Sequence, residues 1–358
     1  MSDESTMVTE APSQNKPRRR RRRKGGPSRQ HGYVQSVPLR PGDIPEEAAF
    51  SEEITAFEKS ISRGAGKKKY NKIKESENIA ENLRSMKSQE LNEYAEKEDL
   101  SLEDSTRLSR PQLIFQLLKS RANLEDYIFI EGTLETAPDG HPWEGHGFLR
   151  APEYSYLASS DDIWVSNSLI EKHGLQTGHI IRGAVRSPSE NERFLTLLNV
   201  DSINERPANK VQNIPSFESL TPLHPEERVV LETTPETLET RVIDLVSPLG
   251  YGQRALIVAP PRTGKTVLLQ RMTSAIASNN PNTKVIVLLV DERPEEVTDF
   301  RRNTPKHVEV VASTFDEEAR RHIQVAEMVM NKARRMVEFG DNVVVLLDSI
   351  TRLARGYN

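Results

Sequence analysis

Apolar residues along this chain change their spacing from one region to the next, and each change marks a different kind of structure. Over residues 1–85 they are sparse and keep no sustained period, which predicts a disordered N-terminal extension. Over 86–124 the spacing turns helical. Leu91, Tyr94 and Ala95 suggest one helix, and Leu113, Ile114, Leu117 and Leu118 give the next its apolar face. The capping-box pattern of Ser109 and Gln112 opens that second helix, so this stretch reads as a small helical bundle. Between 126 and 204 short β-type runs are split by turn residues, with candidate strands at 129–136, 147–150, 163–165, 179–184 and 194–200. Short strands packed that densely suit a small barrel of the OB type. Residues 205–240 hold Pro207, Pro215, Pro222, Pro225 and Pro235 and read as a linker.

From 241 to 358 apolar strands alternate with amphipathic helices. Leu256, Ile257 and Val258 predict a buried parallel strand, and Leu268, Met272 and Ile276 fall on one face of the helix after it. Further strands follow at 285–290, 308–312 and 343–347. A helix through Val325, Val329, Ala333 and Met336, closed by Gly340, lies between the last two. This alternation predicts an α/β domain on a parallel sheet.

Composition sharpens that outline. Only 35% of the 358 residues are hydrophobic, in keeping with a disordered part. The net charge of −4 conceals an asymmetry, because residues 18–23 are all Arg, flanked by Lys16 and Lys24. A second cluster, Lys67, Lys68 and Lys69 with Lys72 and Lys74, follows an acidic patch over 46–58. Such blocks stay solvated; the extension reads equally as a solubilising tail or as a non-specific nucleic-acid arm. The absence of cysteine excludes disulfides, thiolate metal sites and cysteine nucleophiles. The eight histidines show no ligand spacing, and no signal peptide or long apolar run is present, so a soluble cytoplasmic protein is expected.

The chemistry concentrates between Ala259 and Thr266. This stretch fits the phosphate-binding pattern G-x-x-x-x-G-K-[ST] except that Ala259 replaces the first Gly. A strand before it and a helix after it aim backbone N–H groups at a polyphosphate. Lys265 would reach the β- and γ-phosphates, and the Thr266 hydroxyl would ligate Mg²⁺. Asp291 and Glu292 end the 285–290 strand, where a carboxylate beside a bound triphosphate can deprotonate the attacking water; Glu292 is the candidate base. Asp348 ends the next apolar strand in the Walker B manner and would hold the Mg²⁺ shell. In the barrel, Phe148, Arg150, Trp164, Arg193 and Phe194 combine rings with cations, as a single-strand-binding surface requires. Each ring could equally be barrel core; the neighbouring arginines tilt the reading to function.

Several runs together resemble the Rho family of bacterial transcription termination factors. They are V-A-P-P-x-x-G-K-T at 258–266, D-E-R-P-E-E-V-T at 291–298, S-T-F-D-E at 313–317 and D-S-I-T-R-L-A-R at 348–355. Upstream, G-F-L-R at 147–150, D-D-I-W-V at 161–165 and E-R-F at 192–194 are similar to the family's cold-shock-type RNA-binding domain. The resemblance covers roughly 107–358 and implies a RecA-like P-loop ATPase core behind an OB/cold-shock barrel. It implies a ring-shaped homohexamer, an RNA-dependent ATPase and RNA–DNA helicase acting with Mg²⁺ on the RNA polymerase complex. ATP-binding positions would be Pro261, Arg262, Thr263, Gly264, Lys265, Thr266 and Val267. RNA-binding positions would be His146, Phe148, Arg150, Asp162, Trp164, Glu192, Arg193 and Phe194. His146 replaces a usual aromatic, in a loop lengthened around His141 and Trp143. Trp164 and Phe194 stand where Tyr is common, which bears on the family's preference for pyrimidine-rich RNA.

The family's pore loops and arginine finger lie beyond Asn358, so the chain reads as a C-terminally truncated Rho-like polypeptide. Without the strand expected between those ending at Val258 and Asp348, the two should face a gap. The chain itself is then expected to bind RNA, to bind ATP weakly and to show no RNA-stimulated turnover. The competing readings are an RNA-binding module without ATPase activity and a rotary-ATPase catalytic subunit, against which the barrel argues.

Overall fold

The computed structural model describes residues 40, 42–75, 78–98, 108–138, 141, 144–211, 213–260 and 263–357. The arginine run at 18–23 and the candidates Pro261, Arg262 and Trp143 lie outside the described residues.

Helices come first: α1 (Glu47–Ser62), α2 (Gly64–Lys74), α3 (Ile79–Ser85), α4 (Ser88–Lys97) and α5 (Arg110–Glu125). The Ser109 N–H donates to Gln112 Oε1 at 2.9 Å, the reciprocal half of the box seen in the sequence. The helices α1 to α3 overturn the reading of 47–85 as disordered. Phe50, Ile54, Phe57 and Ile61 recur at helical spacing on α1, and Tyr70 and Ile73 on α2, all packed into the core shared with the barrel. The stripe is narrow and diluted by charges; tertiary burial rather than composition makes it a helix.

The barrel strands are β1 (Ile128–Thr136), β2 (Gly147–Arg150), β3 (Ile163–Val165), β4 (Ile180–Arg186) and β5 (Leu195–Leu197). Antiparallel pairs run β4–β1–β2–β3 and β4–β5, and β3 lies parallel to β5, so the sheet closes on itself. Closure leaves no free edge among these strands. Between β3 and β4 runs α6 (Asn167–His173), capped where Ser166 Oγ accepts the Leu169 N–H. The interior rung is apolar: Leu134 faces Leu149, which faces Ile163, which faces Leu195. Gly183 is obligatory, since a Cβ there would stand 2.0 Å from the Asn199 carbonyl oxygen. Short strands β6 (Ser202–Ile203) and β7 (Arg206–Pro207) extend the β4 edge.

The second half opens with β8 (Arg228–Val229), α7 (Leu238–Val246) and β9 (Leu249–Gly250), the two strands paired antiparallel. Then come α8 (Lys265–Asn279), β10 (Lys284–Glu292), α9 (Pro294–Asn303), β11 (Glu309–Thr314), α10 (Ala319–Glu338), β12 (Val343–Asp348) and α11 (Ile350–Gly356). The parallel sheet has the order β11–β10–β12. Its centre, β10, is buried on both faces: Val285, Val287 and Leu289 pack with α8 and α9, and Ile286, Leu288 and Val290 with α10. Leu256, Ile257 and Val258 do not form the expected strand. Leu256 and Val258 are 72% and 85% exposed, because no described strand offers them a hydrogen-bonding ladder beside β12.

The barrel is tied to this sheet. Lys332 Nζ on α10 lies 2.6 Å from Glu309 Oε2 and 2.8 Å from the Tyr156 hydroxyl, which also touches Glu309. The Ser155 hydroxyl accepts the Ala312 N–H at 3.1 Å. His179, nearly buried, accepts the Gln176 N–H at Nδ1 and sets its ring against Phe339 at 5.8 Å. Burial first, and the nearby Arg335 second, lower its pKa to about 4. The folded state therefore holds this imidazole neutral, a contribution fully present above the ordinary value near 6.5 and lost as pH falls towards 4. Acidification across that window should cost the native chain about 3 kcal/mol more than it costs His179→Asn, which keeps an acceptor but does not titrate. Denaturant melts at pH 7 and pH 4 check this.

Candidate functional site

The nucleotide-binding candidates gather where α8 begins. Gly264, at φ +89°, turns the chain from the loop into the helix, a conformation that glycine adopts without strain. Lys265 Nζ then contacts Asp348 Oδ1 at the end of β12, and the Thr266 hydroxyl lies 3.4 Å from Asp348 Oδ2. Asp348 itself is 1% exposed. The Thr263 hydroxyl folds back onto the Pro260 carbonyl at 2.7 Å, and Val267 stays exposed on the outer side of the helix. A carboxylate and a hydroxyl converging from two elements are hard oxygen donors of the kind Mg²⁺ takes. No cluster of three metal-ligating side chains occurs among the described residues, so phosphate oxygens and water would complete such a shell.

Glu292 stands at the end of β10. Val290 faces Ser313 and Glu292 faces Thr314, so Asp291 is bulged out of the ladder, at φ +58°. The bulge re-aims Glu292 into a buried position where Arg352 Nη1 meets Oε1 at 2.9 Å, while Oε2 has no hydrogen-bond partner. Burial and the adjacent Glu296 carboxyl push Glu292 above the usual carboxylate range, and Arg352 draws it back. A carboxylate whose proton affinity is raised in this way is suited to accepting a proton. The register pairs Leu289 with Asp348, so both acids sit at the same end of neighbouring parallel strands.

On the barrel, Glu135 faces Phe148, Phe148 faces Trp164, and Trp164 faces Thr196. These side chains lie on the outer face, opposite the apolar interior rung, so the rings are not barrel core. Nor are they exposed. Phe148 and Trp164 are 0% exposed and Phe194 is 4%, which corrects the expectation of an open stacking surface. Phe148 meets Phe194 edge-on at 4.9 Å, and Trp164 lies 5.5 Å from His146 and 5.1 Å from Phe50 of α1. Arg150 is occupied within the protein, held by Glu135 at 2.6 Å and by Asp162. Glu192 pairs with Arg186 at 2.6 Å, and the Arg193 guanidinium rests 5.2 Å from the Phe194 ring. Burial lowers the His146 pKa, with Glu47 offsetting part of it.

The family model described as "Rho termination factor, RNA-binding domain" matches residues 130–209. A second, "ATP synthase alpha/beta family, nucleotide-binding domain", matches 239–358. The curated "Transcription termination factor Rho" of Rhodopirellula baltica is 49% identical over 277 residues, 77% of this chain and 52% of the relative. That of Chromobacterium violaceum is 53% identical over 261 residues, 72% of this chain and 60% of the relative. The chain belongs to the Rho family. It spans about half to two thirds of the length of these relatives. A solved structure described as a prototypical ATPase from the type III secretion system of pathogenic bacteria overlaps 38% of each chain, at 26% identity and a TM-score of 0.33.

The two acids end β10 and β12 and Lys265 opens α8, the places in strand and helix that the sequence reading gave them. It missed Arg352, which holds Glu292, and Phe50 with its acidic neighbours on α1. The first carried a signal in its place four residues after Asp348, at the start of a helix. Lys265→Ala should abolish nucleotide binding, read with a fluorescent ATP analogue, and leave RNA affinity unchanged, because no described barrel contact depends on it. Equal loss of both affinities would contradict separate sites.

Proposed function

We propose that this chain carries the RNA-binding and ATP-hydrolysing parts of an ATP-dependent RNA translocase that terminates transcription, working as a homohexamer on RNA polymerase complexes. The observation that supports it most is the convergence of Lys265, Thr266 and Asp348 in a chain whose other half is a Rho-type barrel. Lys265 leaves Asp348 to neutralise the β- and γ-phosphates, with Pro261, Arg262 and Thr263 as further nucleotide contacts. Asp348 and Thr266 would hold an Mg²⁺, which would draw charge from the phosphate oxygens. Glu292 takes the proton of the attacking water, and Arg352 keeps its carboxylate oriented. His146, Phe148, Trp164, Arg193 and Phe194 receive single-stranded RNA by stacking and charge. Arg150 and Asp162 hold the shape of that face through their ion pair.

A second reading, an RNA-binding module without turnover, is favoured by the exposed and unpaired run through Leu256 and Val258 just ahead of the phosphate loop. Phosphate release from the purified chain with ATP, Mg²⁺ and poly(C) separates the two. The translocase reading expects RNA to stimulate release and Glu292→Gln to reduce it by roughly 10²–10⁴-fold with ATP binding retained. RNA binding without release at any RNA concentration would overturn it in favour of the binding module.

A further inference from the structure

At Trp164 the outer face of the barrel is covered by this chain's own α1, an element outside the stretch matched by the RNA-binding family model. The cover imitates a single-stranded polyanion. Phe50 sets its ring edge-on to Trp164, and the Arg186 guanidinium lies 5.6 Å from the same ring. That sandwich of aromatic and cation is what a stacked nucleobase would occupy. The helix acids take positions suited to phosphates. Glu53 pairs with Arg186 at 2.6 Å, Glu58 with Lys172, and Glu47 Oε1 accepts the Ser168 N–H at 2.8 Å. Ahead of the helix, the Asp43 carbonyl accepts the Arg193 N–H at 2.8 Å.

The fit is incomplete. The Trp164 indole N–H is buried under the helix with no acceptor, a group that normally finds one when buried. A groove of about 710 Å³ runs between the turn at Gly42, Ile44 and Glu46 and the barrel loop at Ser189 and Glu192. Only Phe50 and Ile54 of α1 are fully buried. The cover is therefore a ligand with an unused donor beneath it and an unfilled seam beside it.

We propose that α1, with the turn before it, is a reversible lid on the barrel, and that single-stranded RNA and α1 compete for the same side chains. The proposal rests on the barrel being the RNA site. In the closed state the apparent affinity for RNA falls by the fraction of molecules that are open.

The absence of cysteine permits a direct test. The Ser51 and Ser168 hydroxyl oxygens lie 3.5 Å apart, one on α1 and one on α6, so the Ser51→Cys, Ser168→Cys double variant can be locked by oxidation and freed by dithiothreitol. Binding is read by the anisotropy of a fluorescein-labelled oligocytidylate. The expected result is at least about tenfold weaker binding when oxidised, restored on reduction, and several-fold tighter binding by Phe50→Ala than by the parent chain. Equal binding by oxidised and reduced protein would overturn the lid while leaving the barrel as the RNA site. No binding by the reduced form or by Phe50→Ala, with helix content intact by circular dichroism, would overturn both.

Discussion

A guanidinium at 2% exposure has to be paired, and much of the first half of this molecule is arranged around that requirement at Arg150. Glu135 reaches it from β1 and Asp162 from the loop before β3, so three consecutive pieces of the barrel converge on one charge. Asp162 also accepts the Ser159 N–H at 2.6 Å, which shapes that loop. The other oxygen of Glu135 accepts from Gln324 of α10 at 3.0 Å. Removing Arg150 would leave two buried carboxylates without their shared cation, a loss of about 3–5 kcal/mol. The network therefore holds the outer face in register and joins it to the nucleotide-binding half through a single amide.

The legible parts of the fold were those where one strand or helix carries its own pattern. The apolar runs at β10 and β12 and the acids that end them read directly: β10, buried on both faces, is apolar throughout, and β12 keeps the same kind of run although it is only part-buried. The capping box of α5 is local chemistry and read equally well. Features that depend on partners did not. Leu256, Ile257 and Val258 have the residues of a strand, but a strand exists only with a neighbour to pair with. The acidic α1 has the composition of a solvated segment, and its burial of Phe50 depends on a tryptophan more than a hundred residues away. The rings at 148 and 164 posed a question of core or surface with a third answer: outside the barrel, yet covered.

At the proposed nucleotide site, the two acids are held in different ways. Asp348 meets the Lys265 ammonium and lies near the Thr266 hydroxyl, whereas Glu292 is displaced by a bulge into an environment that raises its proton affinity. The one-residue irregularity at Asp291 separates these environments on neighbouring strands. An unbroken ladder would have turned the Glu292 side chain to the opposite face of the sheet.

The clasp of Tyr156, Glu309 and Lys332 also has a mechanical meaning. It anchors the barrel at the first residue of β11, while the bond from the Ala312 N–H to the Ser155 hydroxyl anchors it near the other end of the same strand. A load applied to the barrel thus enters the sheet along β11 as shear against β10, the strand that carries Glu292. Parallel ladders resist such sliding with many hydrogen bonds stretched together, so a pull is transmitted as displacement of a rigid strand rather than lost in a flexible joint.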